Sequence, residues 1–255
     1  MIDFPVDGLI WLMACLLPFI FVQRWLSREL QLVFLIIARK QTIALGLYSL
    51  LLFPGVFLHE LSHLLMAKTL FVRTGQISFF PKVMPDGMLR MGYVETEKTD
   101  IFRSAFIGAA PIIAGAVSVS YLWSSRMGLH PLFDLLVDGK INKFLSGFST
   151  LTDNTLWWLW VYLALAVSIT MLPSRSDRRS WVSFGIVLAL LIGLGVFAGI
   201  GGWMTTNLAP LLNERLFDLA RVLGVSMCLQ AVLAIFITIL RSLLSRIFGF
   251  PGLNF

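Results

Sequence analysis

Residues 53–68 read FPGVFLHELSHLLMAK and place two histidines, His59 and His63, and a glutamate, Glu60, in an otherwise membrane-like apolar stretch. The chain has only three histidines among 255 residues, so two of them four apart in one apolar run need a reason. On a helix, positions i and i+4 lie one turn apart on one face, so both imidazoles can reach a single ion. In that pattern the two histidines bind zinc. The glutamate stays off the metal, takes a proton from the attacking water and later passes it to the leaving amine. With three His and five Glu in the composition, HExxH arises by chance in about 5 of 10,000 shuffles. Two other readings stand beside zinc hydrolysis: buried groups that pair only with one another, and a relay in a membrane transporter.

The rest of the chain sets the context. It is 58% hydrophobic and 13% charged, with a mean hydropathy of +0.85, more apolar than a soluble domain of this length can bury in one core. Apolar runs near 8–23, 42–66, 102–123, 156–173, 181–204 and 218–240 predict about six helical spans of a core about 30 Å thick. No alternating strand pattern recurs, which disfavours a β-barrel. The expected fold is an all-α polytopic bundle forming one domain over residues 1–255.

One segment differs in kind. Residues 71–100 carry β-branched and aromatic runs on either side of Pro85-Asp86-Gly87, which predicts a β-hairpin with strands near 76–83 and 88–96. The apolar stretch between Arg28 and Arg39 is too short to cross and suits an interfacial helix. Trp157, Trp158 and Trp160 suit a membrane-interface belt. Gly195 and Gly199, at GxxxG spacing, suit close helix packing, as do the small residues of SAFIGAAPIIAGA at 104–116.

The net charge of +6 comes from scattered Lys and Arg without aromatic interleaving, which fits membrane topology and gives no sign of nucleic acid. Six Lys or Arg between Lys68 and Arg103, and three at 174–179, orient the ends of spans two and four toward the cytoplasm. A straight helix from Thr42 to His59 would rise roughly 25 Å, setting the metal roughly 5–10 Å inside that face.

A catalytic zinc usually has three protein ligands and an open position. His130 falls in a loop on the opposite predicted side, so a carboxylate is the better third ligand. Asp177, just after span four and on the HExxH side, is the candidate.

HELSH in a membrane helix, the hairpin segment after it, the GAAPIIAG span and a later LP…D helix end resemble the site-2 protease family of intramembrane zinc metalloproteases. The resemblance covers roughly residues 43–180. It implies His59, His63 and Asp177 as zinc ligands, Glu60 as catalytic base and a transmembrane protein as substrate. It also implies a bacterial or archaeal cell membrane as location, with the site nearer the cytoplasmic face. The sequence departs from the family's NxxPxxxxDG pattern: Thr170 stands at the Asn position, Asp177 follows Pro173 by four residues, and Arg178 replaces the Gly. The loops have no room for a PDZ or nucleotide-sensing domain, so the chain resembles a core-only member whose regulation would need a separate partner. A helical substrate must be unwound before its amide can be attacked. The second hairpin strand, with Gly92, Tyr93 and Val94, is the candidate edge for an extended substrate.

Overall fold

The computed structural model describes residues 7–83, 89–127, 140–143, 146–147 and 155–248. The expected turn at Pro85-Asp86-Gly87, and His130 with the polar loop around it, lie outside the described residues.

The described chain is mostly helical. Helix α1 spans Asp7–Ala38, α2 Gln41–Leu51 and α3 Phe53–Thr69. Four short strands follow: β1 Thr74–Ser78, β2 Lys82–Val83, β3 Leu89–Arg90 and β4 Tyr93–Thr96. Then come α4 Ile101–Tyr121, α5 Thr155–Thr170, α6 Trp181–Phe197 and α7 Ala209–Ile247. A π-helical turn, Leu122–Arg126, extends α4, and helical turns from Gly201 lead directly into α7.

Three helices are long and apolar enough to cross a membrane, and a fourth span results if α2 and α3 count as one bent pair. That is fewer than the six expected. With 16 and 17 residues, α5 and α6 are apolar but reach only about 24–26 Å.

Several boundaries differ from the sequence reading for identifiable reasons. Helix α1 runs unbroken through Arg28, because its polar residues find partners inside the bundle. Glu29 is buried and ion-paired with Arg241 of α7 at 2.5 Å, and Gln23 donates to the Ile169 carbonyl of α5. The helix stops at Arg39, where φ is 56°. Gly199 has a φ of +87° and lies in the turn after α6, so Gly195 and Gly199 do not form a helix-packing face. Trp157 points inward, 6% exposed, and donates to the Met127 carbonyl at 3.2 Å, whereas Trp158 is exposed.

The path between α2 and α3 bends by 75°. Pro54 in the first turn of α3 lacks the N–H that would continue α2. Thr42 and His59 are therefore not on one straight rod, and the 25 Å rise does not apply. Gly55 lets the start of α3 press against α5: a Cβ there would sit 2.1 Å from the Ala166 carbonyl.

Helices α1 and α7 run parallel, tied near one end by Gly8 N–H donating to Asn213 Oδ1 at 2.7 Å and farther along by Glu29 with Arg241. Leu26, Leu30, Leu52, Val56, Ala166, Ile169 and Ala234 bring α1, α3, α5 and α7 into one apolar cluster directly behind the histidine helix. Helix α6 has no buried residue and meets α4 through Phe184 against Phe102 and Phe106.

The hairpin forms as two antiparallel pairs. Strand β1 pairs with β4, with Ile77 opposite Val94 and Ser78 opposite Tyr93, and β2 pairs with β3. Phe80 stacks on Phe53 at 5.1 Å, and Phe79 meets Phe57 at 5.1 Å, so the hairpin is pinned to the first turn of α3. Gly92 lies between β3 and β4.

Candidate metal centre

The third and fourth turns of α3 carry His59 and His63, and their Nε2 atoms are 3.3 Å apart. The other ring nitrogens explain this orientation. His59 Nδ1 is 2.7 Å from the Thr170 carbonyl, and His63 Nδ1 is 2.8 Å from the Ile107 carbonyl. A carbonyl only accepts, so each Nδ1 must carry the hydrogen, and in the neutral rings each Nε2 is a bare lone pair. Two lone pairs this close cannot bond to one another; a cation between them relieves the repulsion. Both acceptors are backbone carbonyls left without an i+4 donor: Thr170 is the last residue of α5, and Ile107 lies four residues before Pro111 of α4, which has no N–H to give it.

Asp177 completes the group. Its Oδ2 is 3.7 Å from His59 Nε2 and its Oδ1 is 3.5 Å from His63 Nε2. The setting LPSRSD, residues 172–177, holds the carboxylate through a local turn. Ser174 N–H donates to Asp177 Oδ2 at 2.7 Å, and Asp177 N–H donates to Ser174 Oγ at 3.3 Å. Burial pushes the Asp177 carboxyl up, but the Ser174 N–H, and the Nε2–H that either ring carries once it is protonated, outweigh it and hold the group well below the usual carboxylate range. Asp177 is therefore an anion facing two ring nitrogens.

Small residues in α4 make this approach possible. A Cβ on Gly108 would lie 2.0 Å from the Asp177 carbonyl oxygen, and one on Gly115 would lie 2.4 Å from Met171 Cβ. The segment leaving α5 thus runs against the glycine face of α4, and its path brings Asp177 over the histidines.

One ligand atom each from His59, His63 and Asp177 lies within 4.8 Å of the others, a group that can hold a metal ion. The donor set suits zinc: two nitrogens at the usual Zn–N length of about 2.0–2.1 Å in tetrahedral geometry are about 3.3 Å apart. Each imidazole also has the outer hydrogen bond that fixes tautomer and ring plane in such sites.

Glu60 is buried beside this group and is not part of it. Gly92 crosses directly over it: a Cβ there would be 2.8 Å from Glu60 Cγ and 3.1 Å from Oε1. One cavity of about 750 Å³ is lined by His59, Glu60, His63 and Asp177 together with Gly92, Tyr93 and Val94. All seven residues singled out in the sequence therefore border one space. The residues missed were Ser174, Gln23, and the carbonyls of Thr170 and Ile107. The SxxD spacing of Ser174 and Asp177 is a turn signal that could have pointed to the first, whereas a backbone acceptor has no side-chain signature.

Comparison of the chain with protein-family models, with curated proteins and with solved structures gives no match.

Proposed function

We propose that this protein is an intramembrane zinc metalloprotease of the site-2 protease type, hydrolysing peptide bonds within or beside transmembrane segments of other membrane proteins. The observation that carries this reading is the pairing of two Nδ1-anchored imidazoles and a carboxylate with a separate buried glutamate, all bordering one cavity. A site built only to store or relay a metal has no use for a base that stays off the ligand set.

Zinc held by His59, His63 and Asp177 would polarise the scissile carbonyl and lower the pKa of water near it. Glu60 takes the proton of the attacking water on its carboxylate and returns it to the departing amide nitrogen. Gly92, without a side chain, lets the hairpin close over Glu60 and limits the space above it. Strand β4 is hydrogen-bonded to β1 along one edge, and its other edge offers Tyr93 and Val94 backbone groups to a substrate drawn out of its helix. The lipid bilayer is the working environment, in a bacterial or archaeal cell membrane with the site nearer the cytoplasmic face, and a separate partner would regulate access.

The test is metal content, measured in the wild type and in His59→Ala, His63→Ala and Asp177→Ala, with cleavage of a transmembrane test peptide followed in parallel. One zinc per chain, lost together with cleavage in each variant, is expected. Zinc that crosses the membrane with no peptide bond cut would make the protein a transporter or sensor. Helix binding without metal would make it a scaffold.

A further inference from the structure

The cavity has a second wall that the chemistry above does not use. On the side of α1 and α2 it is lined by Gln23, Ser27 and Tyr48. Gln23 and Ser27 are four residues apart on α1 and share a face, while their neighbours Leu26 and Leu30 are buried in the apolar cluster. Tyr48 is 4% exposed, and its hydroxyl faces Ser27 and Gln31. Three polar side chains from two helices thus converge where an apolar wall would be the cheaper solution for a membrane bundle.

The bond made by Gln23 reveals which of its atoms is left over. Its Nε2 meets the Ile169 carbonyl, which can only accept, so the amide orientation is fixed by chemistry and Oε1 is the remaining acceptor. Among the described residues no hydrogen bond reaches that oxygen. Ile169 directly precedes Thr170, whose carbonyl holds His59. The Gln23 amide is therefore anchored one peptide unit from the residue that orients a metal ligand, within reach of a side chain flanking the reacting bond.

We propose that Gln23 and Ser27, backed by Tyr48, form a side-chain subsite. It selects membrane segments that carry a hydrogen-bond-donating side chain, such as the carboxamide of Asn or Gln, next to the scissile bond. This rests on the protease reading. An apolar side chain in the same place would leave the Gln23 oxygen without a partner, which disfavours it.

The experiment uses the zinc-loaded full chain and paired transmembrane peptides identical except for Asn or the near-isosteric Leu at each position about three residues either side of the mapped cut. At one position the wild type is expected to cleave the Asn peptide about tenfold faster in kcat/KM. In Gln23→Leu the ratio falls to about one, and in Ser27→Ala it falls part of the way, whatever the absolute rates. A ratio kept in both variants would come from easier unwinding of the Asn-bearing helix and overturns the subsite, as does a wild type with no preference at any position. If Gln23→Leu does not fold, Ser27→Ala and Tyr48→Phe read the same ratio. Peptide affinity for the Glu60→Gln protein separates the two ideas. An Asn-over-Leu preference abolished by Gln23→Leu upholds the subsite even where hydrolysis fails, and equal affinities overturn it.

Discussion

His59 Nδ1 and the Thr170 carbonyl oxygen are 2.7 Å apart, and this single bond joins the end of α5 to the metal-binding edge of α3. It satisfies one of the carbonyls that the last turn of a helix leaves without a partner, and it aims Nε2 at the space shared with Asp177. Because the contact uses the main chain, it does not depend on which side chain stands at position 170. The Thr170 hydroxyl meanwhile turns back to the Ala166 carbonyl at 2.9 Å.

Glu60→Gln keeps the size of the side chain and removes its basicity. The expected outcome is a full complement of bound zinc with cleavage lower by about 10²–10⁴-fold. Zinc analysis beside a peptide-cleavage assay checks it, and near-normal proteolysis would remove Glu60 from the role of base.

Two glycines should respond differently to the same added methyl. In Gly108→Ala the new Cβ meets the Asp177 backbone oxygen, which cannot swing aside, so zinc affinity should fall by more than about tenfold as the ligand is displaced. In Gly92→Ala it meets the Glu60 side chain, so zinc should stay and turnover should fall. Gly46→Ala, with open space at the new Cβ, serves as the control, and zinc titration with kcat measurements on all three decides.

Acid should strip the metal through the imidazoles. Asp177 is held below the usual carboxylate range, so it stays anionic as the pH falls, whereas an imidazole must be neutral to bind a metal. Zinc should be retained at pH 8 and lost progressively on acidification, with a steepness approaching two protons per ion. Release only below about pH 4 would mean that the carboxylate sets the limit.

The Glu29–Arg241 pair joins α1 to α7 at 2.5 Å, with both side chains largely shielded. Removing one partner, as in Arg241→Met, leaves a buried charge and should cost about 3–5 kcal/mol. Replacing both with apolar residues should recover most of that loss. Thermal unfolding of the single and double variants in detergent measures the coupling.

The grouping of the site residues was more legible in the sequence than the architecture that groups them. HELSH put two histidines and a glutamate beside one another because residue type and helical spacing suffice for that, and Asp177, read from the end of a later span, joins the two histidines in one group. The small residues at 104–116 were readable as a close-packing surface, but not that Gly108 would receive the backbone of Asp177, which depends on a loop path. The stretch between Arg28 and Arg39 read as a separate interfacial helix, whereas α1 runs through it from Asp7 to Ala38. The burial of Glu29 inside α1 depends on Arg241, more than 200 positions away, which no local pattern encodes. The turn at Gly199, by contrast, is local: Gly199 N–H donates to the Val196 carbonyl and Ile200 N–H to the Gly195 carbonyl, both at 3.1 Å, as at a glycine-terminated helix end.

The 75° break before Phe53 separates two tasks that one straight span would have to share. Helix α2 contributes packing, with Tyr48 set in the apolar cluster and against the cavity. Helix α3 sets the spacing of His59 and His63 and is fastened to α4 and α5. The break thus lets the histidine helix take its direction from α4 and α5, whose Ile107 and Thr170 carbonyls meet the two rings, and not from the line of α2.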